Sequence, residues 1–179
     1  MKKFIHYYSY IFLWLLLLST DQASAQKEDY NWFFGLQLGL DFNQNPPVLF
    51  PTNMRSTEGC AAVSDIGGNL LFYSNGNDVW DATGNVMPNG AGLLGNGQGV
   101  LGIPGSATQG VAIIKSVTDP KKYFLFTLDA NEQITSYLTP GYLRYSVVDL
   151  SLNGGLGDVS VTEKNIILDS FMSERMIVT

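Results

Sequence analysis

Between Gly59 and Gly90 the chain leaves room for little besides short antiparallel strands. Gly59-Cys60-Ala61-Ala62-Val63-Ser64 reads as a strand of small residues, and Asp65-Ile66-Gly67-Gly68-Asn69 is turn chemistry. Leu70-Leu71-Phe72-Tyr73-Ser74 is a second strand, closed by Asn75-Gly76, the strongest short-range hairpin signal. Asp78-Val79-Trp80-Asp81 follows, then a turn at Thr83-Gly84-Asn85, then a brief fourth strand at Val86-Met87. Pro88-Asn89-Gly90 ends the block. No stretch of the mature chain sustains the 3.6-residue apolar period of an amphipathic helix.

The pattern recurs. Setting Cys60-Ala61-Ala62-Val63 against Val111-Ala112-Ile113-Ile114 gives an offset of 51 residues, and Leu70-Leu71-Phe72-Tyr73 then falls near Tyr123-Phe124-Leu125-Phe126. Further strands are expected at Tyr142 to Asp149 and, one or two of them, within Asp158 to Leu168. Four-stranded units recurring every ~40–50 residues mark β-propeller blades of the WD40 or kelch kind. The expected fold is therefore all-β: a partial β-propeller of about two four-stranded antiparallel blades plus the start of a third. A β-sandwich is the alternative, and it requires the two units to pack face to face. The expected organisation is a signal peptide at 1–25, an N-terminal strand and Pro-containing connection at 26–58, and a first blade-like unit at 59–90. A Gly-rich loop at 91–109, a second unit at 110–169 and the start of a third at 170–179 complete it. A propeller closes with ~4–8 blades, so this count points to a piece of a longer chain. An unfinished blade leaves a strand edge unpaired, and residues 26–179 alone are expected to be poorly soluble or oligomeric.

The N-terminus reads as a secretory signal peptide. Lys2 and Lys3 precede an unbroken apolar run from Ile11 to Leu18, and Ala23-Ser24-Ala25 supplies the small residues of a cleavage site before Gln26. The run is far short of the ~20 residues needed to span a bilayer. Cleavage removes Lys2, Lys3, Asp21 and His6, so ten basic and sixteen acidic residues become eight and fifteen, a charge of −7. The mature chain then holds no histidine and one cysteine, Cys60. That excludes a Ser-His-Asp triad, a Cys-His pair, a His-ligated metal and an intrachain disulfide. Lipid attachment is not implied, because the residue directly after the cleavage site is Gln26 and not a Cys. The acidic balance argues against nucleic acid.

Several constellations carry chemistry on paper. Asp65, Asn69, Asp78 and Asp81 cluster in sequence as oxygen ligands for Ca²⁺, although their spacing departs from D-x-[DN]-x-[DN]-G and β-turns use the same residues. Glu58 with Asp65, or Asp149 with Asp158, would be a glycosidase pair if held ~5–10 Å apart. Trp32, Trp80 and the tyrosines would stack on sugars, though aromatics in short strands more often form core. Cys60 has no basic neighbour to activate it and reads as a small buried residue. The Gly-rich segment lacks G-x-x-x-x-G-K-[ST], which sets phosphate binding aside. No catalytic, cofactor-binding or metal residue is assigned.

A further set of motifs stands in a characteristic order. These are Asn31-Trp32-Phe33-Phe34-Gly35, Gly39-Leu40-Asp41-Phe42-Asn43, Glu58 to Asp65, Gly68 to Tyr73, Val79-Trp80, Met87-Pro88-Asn89-Gly90, Gly92-Leu93-Leu94-Gly95, Tyr145 to Asp149 and Asn153 to Val159. In that order they resemble the N-terminal propeller-type region of large secreted gliding-motility-associated proteins. Those proteins usually carry immunoglobulin-like repeats and a type IX secretion (type B) sorting domain, which these residues do not contain. The segment Gly97 to Gly105 is longer and more Gly-rich than the family pattern. The resemblance implies a non-enzymatic, exported propeller segment of a larger surface or secreted protein, acting as an interaction or adhesion scaffold. Its ligand would be a protein or glycan, with further blades of a longer parent as partners. The mature chain is not expected to insert in a membrane. The opposing expectation is a carbohydrate-binding or polysaccharide-degrading protein working through Asp, Glu and aromatic residues.

Overall fold

The computed structural model describes residues 26–97, 102–103, 105–130 and 141–177. The expected signal peptide, residues 131–140, part of the expected Gly-rich loop and the last two residues lie outside them. The described residues form an all-β fold of three antiparallel sheets.

The first sheet is β1 (Asn31–Phe34), β2 (Leu36–Asp41) and β3 (Val48–Arg55), in that order. The expectation of a single strand and a Pro-containing connection up to residue 58 is corrected here. Pro51 sits inside β3, opposite Leu38. A proline offers no N–H to a ladder, but β3 is an edge strand, where that donor is dispensable. The second sheet runs β4 (Ala61–Ser64), β5 (Leu70–Ser74), β6 (Asp78–Asp81) and β7 (Val86–Ala91). This is the expected four-stranded unit, except that β7 continues through Pro88 and Gly90 to Ala91. The third sheet is β8 (Val111–Lys115), β9 (Lys122–Leu128), β10 (Tyr142–Asp149) and β11 (Asp158–Val159), with β12 (Ile166–Ser170) also paired to β10. The last two strands pair with different halves of β10: β11 takes Val148 and Asp149, and β12 takes Tyr142 to Tyr145. The start expected at 170–179 is, within the described residues, a single parallel bridge between Gln109 and Arg175.

The second sheet is covered on both faces. Along β5 and β6 neighbouring side chains point to opposite sides, and both sides are sealed. Phe72 and Val79 join Met87, Leu93, Val111, Tyr123, Leu125, Val148 and Val159 in one core against the third sheet. Tyr73 and Trp80 join Phe33 and Met54 in another against the first sheet. The rings of Phe33, Tyr73 and Trp80 stack in series at centroid spacings of 4.1 and 5.4 Å. This explains why Leu70-Leu71-Phe72-Tyr73 reads as a continuous apolar run: neither face meets water. The opening strands lie side by side, β1 against β4 and β4 against β8. At the head of each, a backbone N–H reaches the next unit: Gly59 N–H donates to Ala107 O (3.2 Å) and Gln109 N–H to Glu174 O (3.3 Å).

Candidate functional site

The acidic residues that suggested chemistry are occupied by their own turns. Asp65 Oδ1 accepts the N–H groups of Gly67 and Asn69, and its Oδ2 accepts the Asn69 amide. Asp81 Oδ1 does the same with Thr83 and Asn85 one hairpin later. The two turns share the pattern Asp-x-x-Gly-Asn, and the Gly68 and Gly84 positions take φ of +89° and +85°, which only glycine adopts without strain. The hydrogen bonds from Asn69 hold the Asp65 carboxyl below its ordinary range. Asp78 lies at the opposite end of β6 from Asp81, where burial raises its pKa. The four expected calcium ligands are thus split between two ends of the sheet. Among the described residues no group of three or more His, Cys, Asp or Glu side chains gathers for a metal ion.

The two expected carboxylate pairs fare differently. Glu58 and Asp65 flank β4 and are separated by its length. Asp149 and Asp158 are direct register partners across β10 and β11. Asp158, however, is buried and saturated: Oδ1 accepts the N–H of Asn89 (2.8 Å) and of Val159 (2.8 Å), and Oδ2 accepts the Asn89 amide (2.6 Å). Asp149 is tied to the hydroxyl and N–H of Ser151, which lower its pKa. A general acid needs a raised pKa, and that of Asp149 is lowered.

The aromatic candidates divide as well. Trp80 is core, while Trp32 is 55% exposed on the outer face of the first sheet, 4.8 Å from the Phe42 ring. The Cys60 thiol donates to Phe33 O (3.0 Å), and burial pushes its pKa up to about 11. A thiol so placed stays protonated and unreactive at neutral pH. It borders a shallow cleft of about 580 Å³ running past Gly59, Ala62, Gln109, Ala112 and Met176. A smaller cavity of about 260 Å³ opens between the first and second sheets, edged by Phe50, Thr52, Asn53, Tyr73 and Thr83. The Thr52 hydroxyl there is buried and makes no hydrogen bond.

The polar residues that organise the molecule were not singled out in the sequence. Asn96, fully buried at φ +43°, is a hub. Its amide donates to Gly59 O and Asn75 O, and its Oδ1 accepts the Ala107 N–H at 2.9 Å. Three loops at one end of the second and third sheets are joined through that one side chain. Asn89, bound by Asp158, and Lys164, which donates to the carbonyls of Asn89 and Ala91, fasten β7 to the third sheet. Arg144 and Asp129 form an enclosed ion pair beneath the Tyr142 ring. The signal for Asn96 was its setting, Gly95-Asn96-Gly97, since Asn is among the few residues that enter the left-handed region readily.

Neither a scan against protein-family models nor searches of curated proteins and of solved structures found a match to this chain. Its functional reading rests on its own residues.

Proposed function

We propose that this chain is an exported, non-enzymatic interaction scaffold built of propeller-type sheets, serving a secreted or cell-surface protein of the gliding-motility-associated kind. The observation that carries the reading is the stacking of three meandering sheets with their opening strands β1, β4 and β8 side by side. A two-sheet sandwich leaves each sheet one uncovered outer face. Here the middle sheet has none, as a blade between two neighbours has none. The consumption of the acidic residues by turns and inter-sheet ties supports a scaffold over a hydrolase. Export follows from the segment before Gln26.

Two measurements test the reading. The chain is produced with its own first 25 residues in a bacterial host, and the extracytoplasmic product is sequenced from its N-terminus. A product beginning at Gln26 is expected, and retention in the cytoplasm with Met1 intact refutes export. The purified product is then incubated with a panel of polysaccharides and examined for new reducing ends. Turnover that is lost in Asp149→Asn would replace the scaffold by an enzyme.

A further inference from the structure

The third sheet has a face that the rest of the fold predicts should be covered. Pairing through the two ladders makes its positions equivalent to those of the second sheet. Val63 opposes Phe72 as Ile114 opposes Phe124, and Ala61 opposes Ser74 as Ala112 opposes Phe126. Val79 opposes Ser74 as Tyr145 opposes Phe126. In the second sheet this face, with Phe72, Val79, Ala61 and Val63, is the one sealed against the third sheet. In the third sheet the equivalent face carries Ile114, Phe124, Phe126 and Tyr145, whose three rings cluster with centroids 5.9–6.5 Å apart. Ile114 is 37% exposed, as is Ile166, the register partner of Tyr145.

The first sheet is open in the complementary sense. Trp32, Leu40 and Leu49 stand opposite one another across its three strands, and so do Phe34, Leu38 and Pro51. Phe33 points the other way, into the second sheet. The outer face of the first sheet therefore corresponds to the face with which the second sheet receives the first, and with which the third receives the second. Leu49 is 60% exposed on it. One end of the stack offers the giving face of a contact made twice inside the chain, and the other end offers the receiving face.

We infer that a second copy of this chain docks its first sheet, through Trp32, Leu40 and Leu49, onto the third-sheet face of Ile114, Phe124 and Tyr145. The occupant is argued from continuity: the contact repeats the two already made within the chain, with the same faces in the same order. It is a head-to-tail contact, and such contacts close into a ring or run on as a filament. Two copies of three sheets make six, inside the ~4–8 sheets at which propeller-type rings close. The inference rests on the proposed reading of the sheets as propeller-type units.

Residues 26–179 are examined by light scattering during gel filtration over a concentration series from micromolar upward, beside two variants, Ile114→Lys and Leu49→Lys. Both residues are exposed, so folding is expected to survive, and unchanged melting curves check it. The parent is expected at twice the mass of one chain, and each variant alone at the mass of one. Mixed, the two variants regain a species of two chains, because each retains the face the other lacks. A parent that stays monomeric at every concentration overturns the inference and leaves the face to a sheet from another source. A Leu49→Lys variant that still pairs with itself also overturns it, since like faces would then be in contact. Electron micrographs of the dimer separate this result from the fold reading. A closed ring of six sheets upholds both, while an unclosed head-to-tail pair upholds the docking and removes the propeller.

Discussion

Replacing Asn96 by Ala removes three hydrogen bonds from a site with no exposure to water. The carbonyl of Asn75 and the N–H of Ala107 lose their partner together, while Gly59 O keeps the Ser56 hydroxyl. A buried polar group left unpaired costs about 1–3 kcal/mol. Two of them would sum to about 2–6 kcal/mol, and the vacated amide leaves room of the order of one water molecule, which re-pairs part of the set. The expected loss is therefore about 3–4 kcal/mol, a large share of the ~5–15 kcal/mol that holds a domain together. Ala adds roughly 1 kcal/mol of strain of its own, because φ at this position is +43°. Asn96→Gly loses the same bonds without that strain and is expected to be about 1 kcal/mol less damaging than Asn96→Ala, less the flexibility it adds to the unfolded chain. The assay is urea unfolding followed by tryptophan fluorescence, since buried Trp80 reports the junction of the first two sheets. The midpoint should fall with the slope unchanged. An Asn96→Ala protein within about 0.5 kcal/mol of the parent, the scatter of ordinary surface substitutions, refutes the hub.

Other outcomes follow from single groups. Asp65 and Asp149 have folded pKa values below their ordinary 3.8, so between those values and 3.8 the unfolded chain binds more protons. Their stabilisation is present above 3.8 and lost as pH falls through the folded values. An Asp65→Asn/Asp149→Asn double variant should therefore show a shallower acid limb in a plot of stability against pH. A double-mutant cycle on Asn89→Ala and Asp158→Ala should return a coupling of about 1–3 kcal/mol, because both side chains serve one inter-sheet tie, and additive losses would deny it. Cys60 should resist a thiol reagent in the folded protein at pH 8, well below its raised pKa of about 11, and react at once in denaturant. Phe72→Ala should cost about 3–5 kcal/mol, and its less buried counterpart Phe124→Ala clearly less in a monomer. Equal losses would deny that the two faces differ in cover.

The second and third sheets were legible because their signals are local. Turn chemistry at Asp65-Ile66-Gly67-Gly68-Asn69 and Asn75-Gly76 fixes where strands stop, and short apolar runs between the turns mark the strands. The first sheet was half hidden. Three prolines between Pro46 and Pro51 mark a break, and only the position of β3 at a sheet edge makes Pro51 acceptable. Edge or centre is a property of topology, which spacing along the chain does not carry. The same limit applies to the candidate sites. Asp149 and Asp158 do meet across two strands, as the pairing suggested, yet Asp158 is claimed by Asn89, 69 residues away. Sequence reading identifies a carboxylate and leaves open whose N–H groups it will accept.

The residues that most resembled functional groups turn out to hold the sheets to their turns and to one another, and this bears on what the molecule can be used for. Asp65 and Asp81 each close a hairpin and Asp158 binds β7 to the third sheet, beside Lys164 and the Arg144–Asp129 pair, which the sequence did not single out. Polar groups committed in this way rigidify their surroundings and are poor proton carriers, because any proton they take breaks a bond the fold uses. The surfaces left uncommitted at the two ends of the stack are apolar, and each carries aromatic rings: exposed Trp32 and Phe34 at one end, partly buried Phe124, Phe126 and Tyr145 at the other. Exposed apolar patches of this kind mark surfaces made to be covered by protein. Recognition by this chain is thus expected to run along the stacking direction, sheet upon sheet, and its specificity to reside in the ring and aliphatic pattern of those two faces.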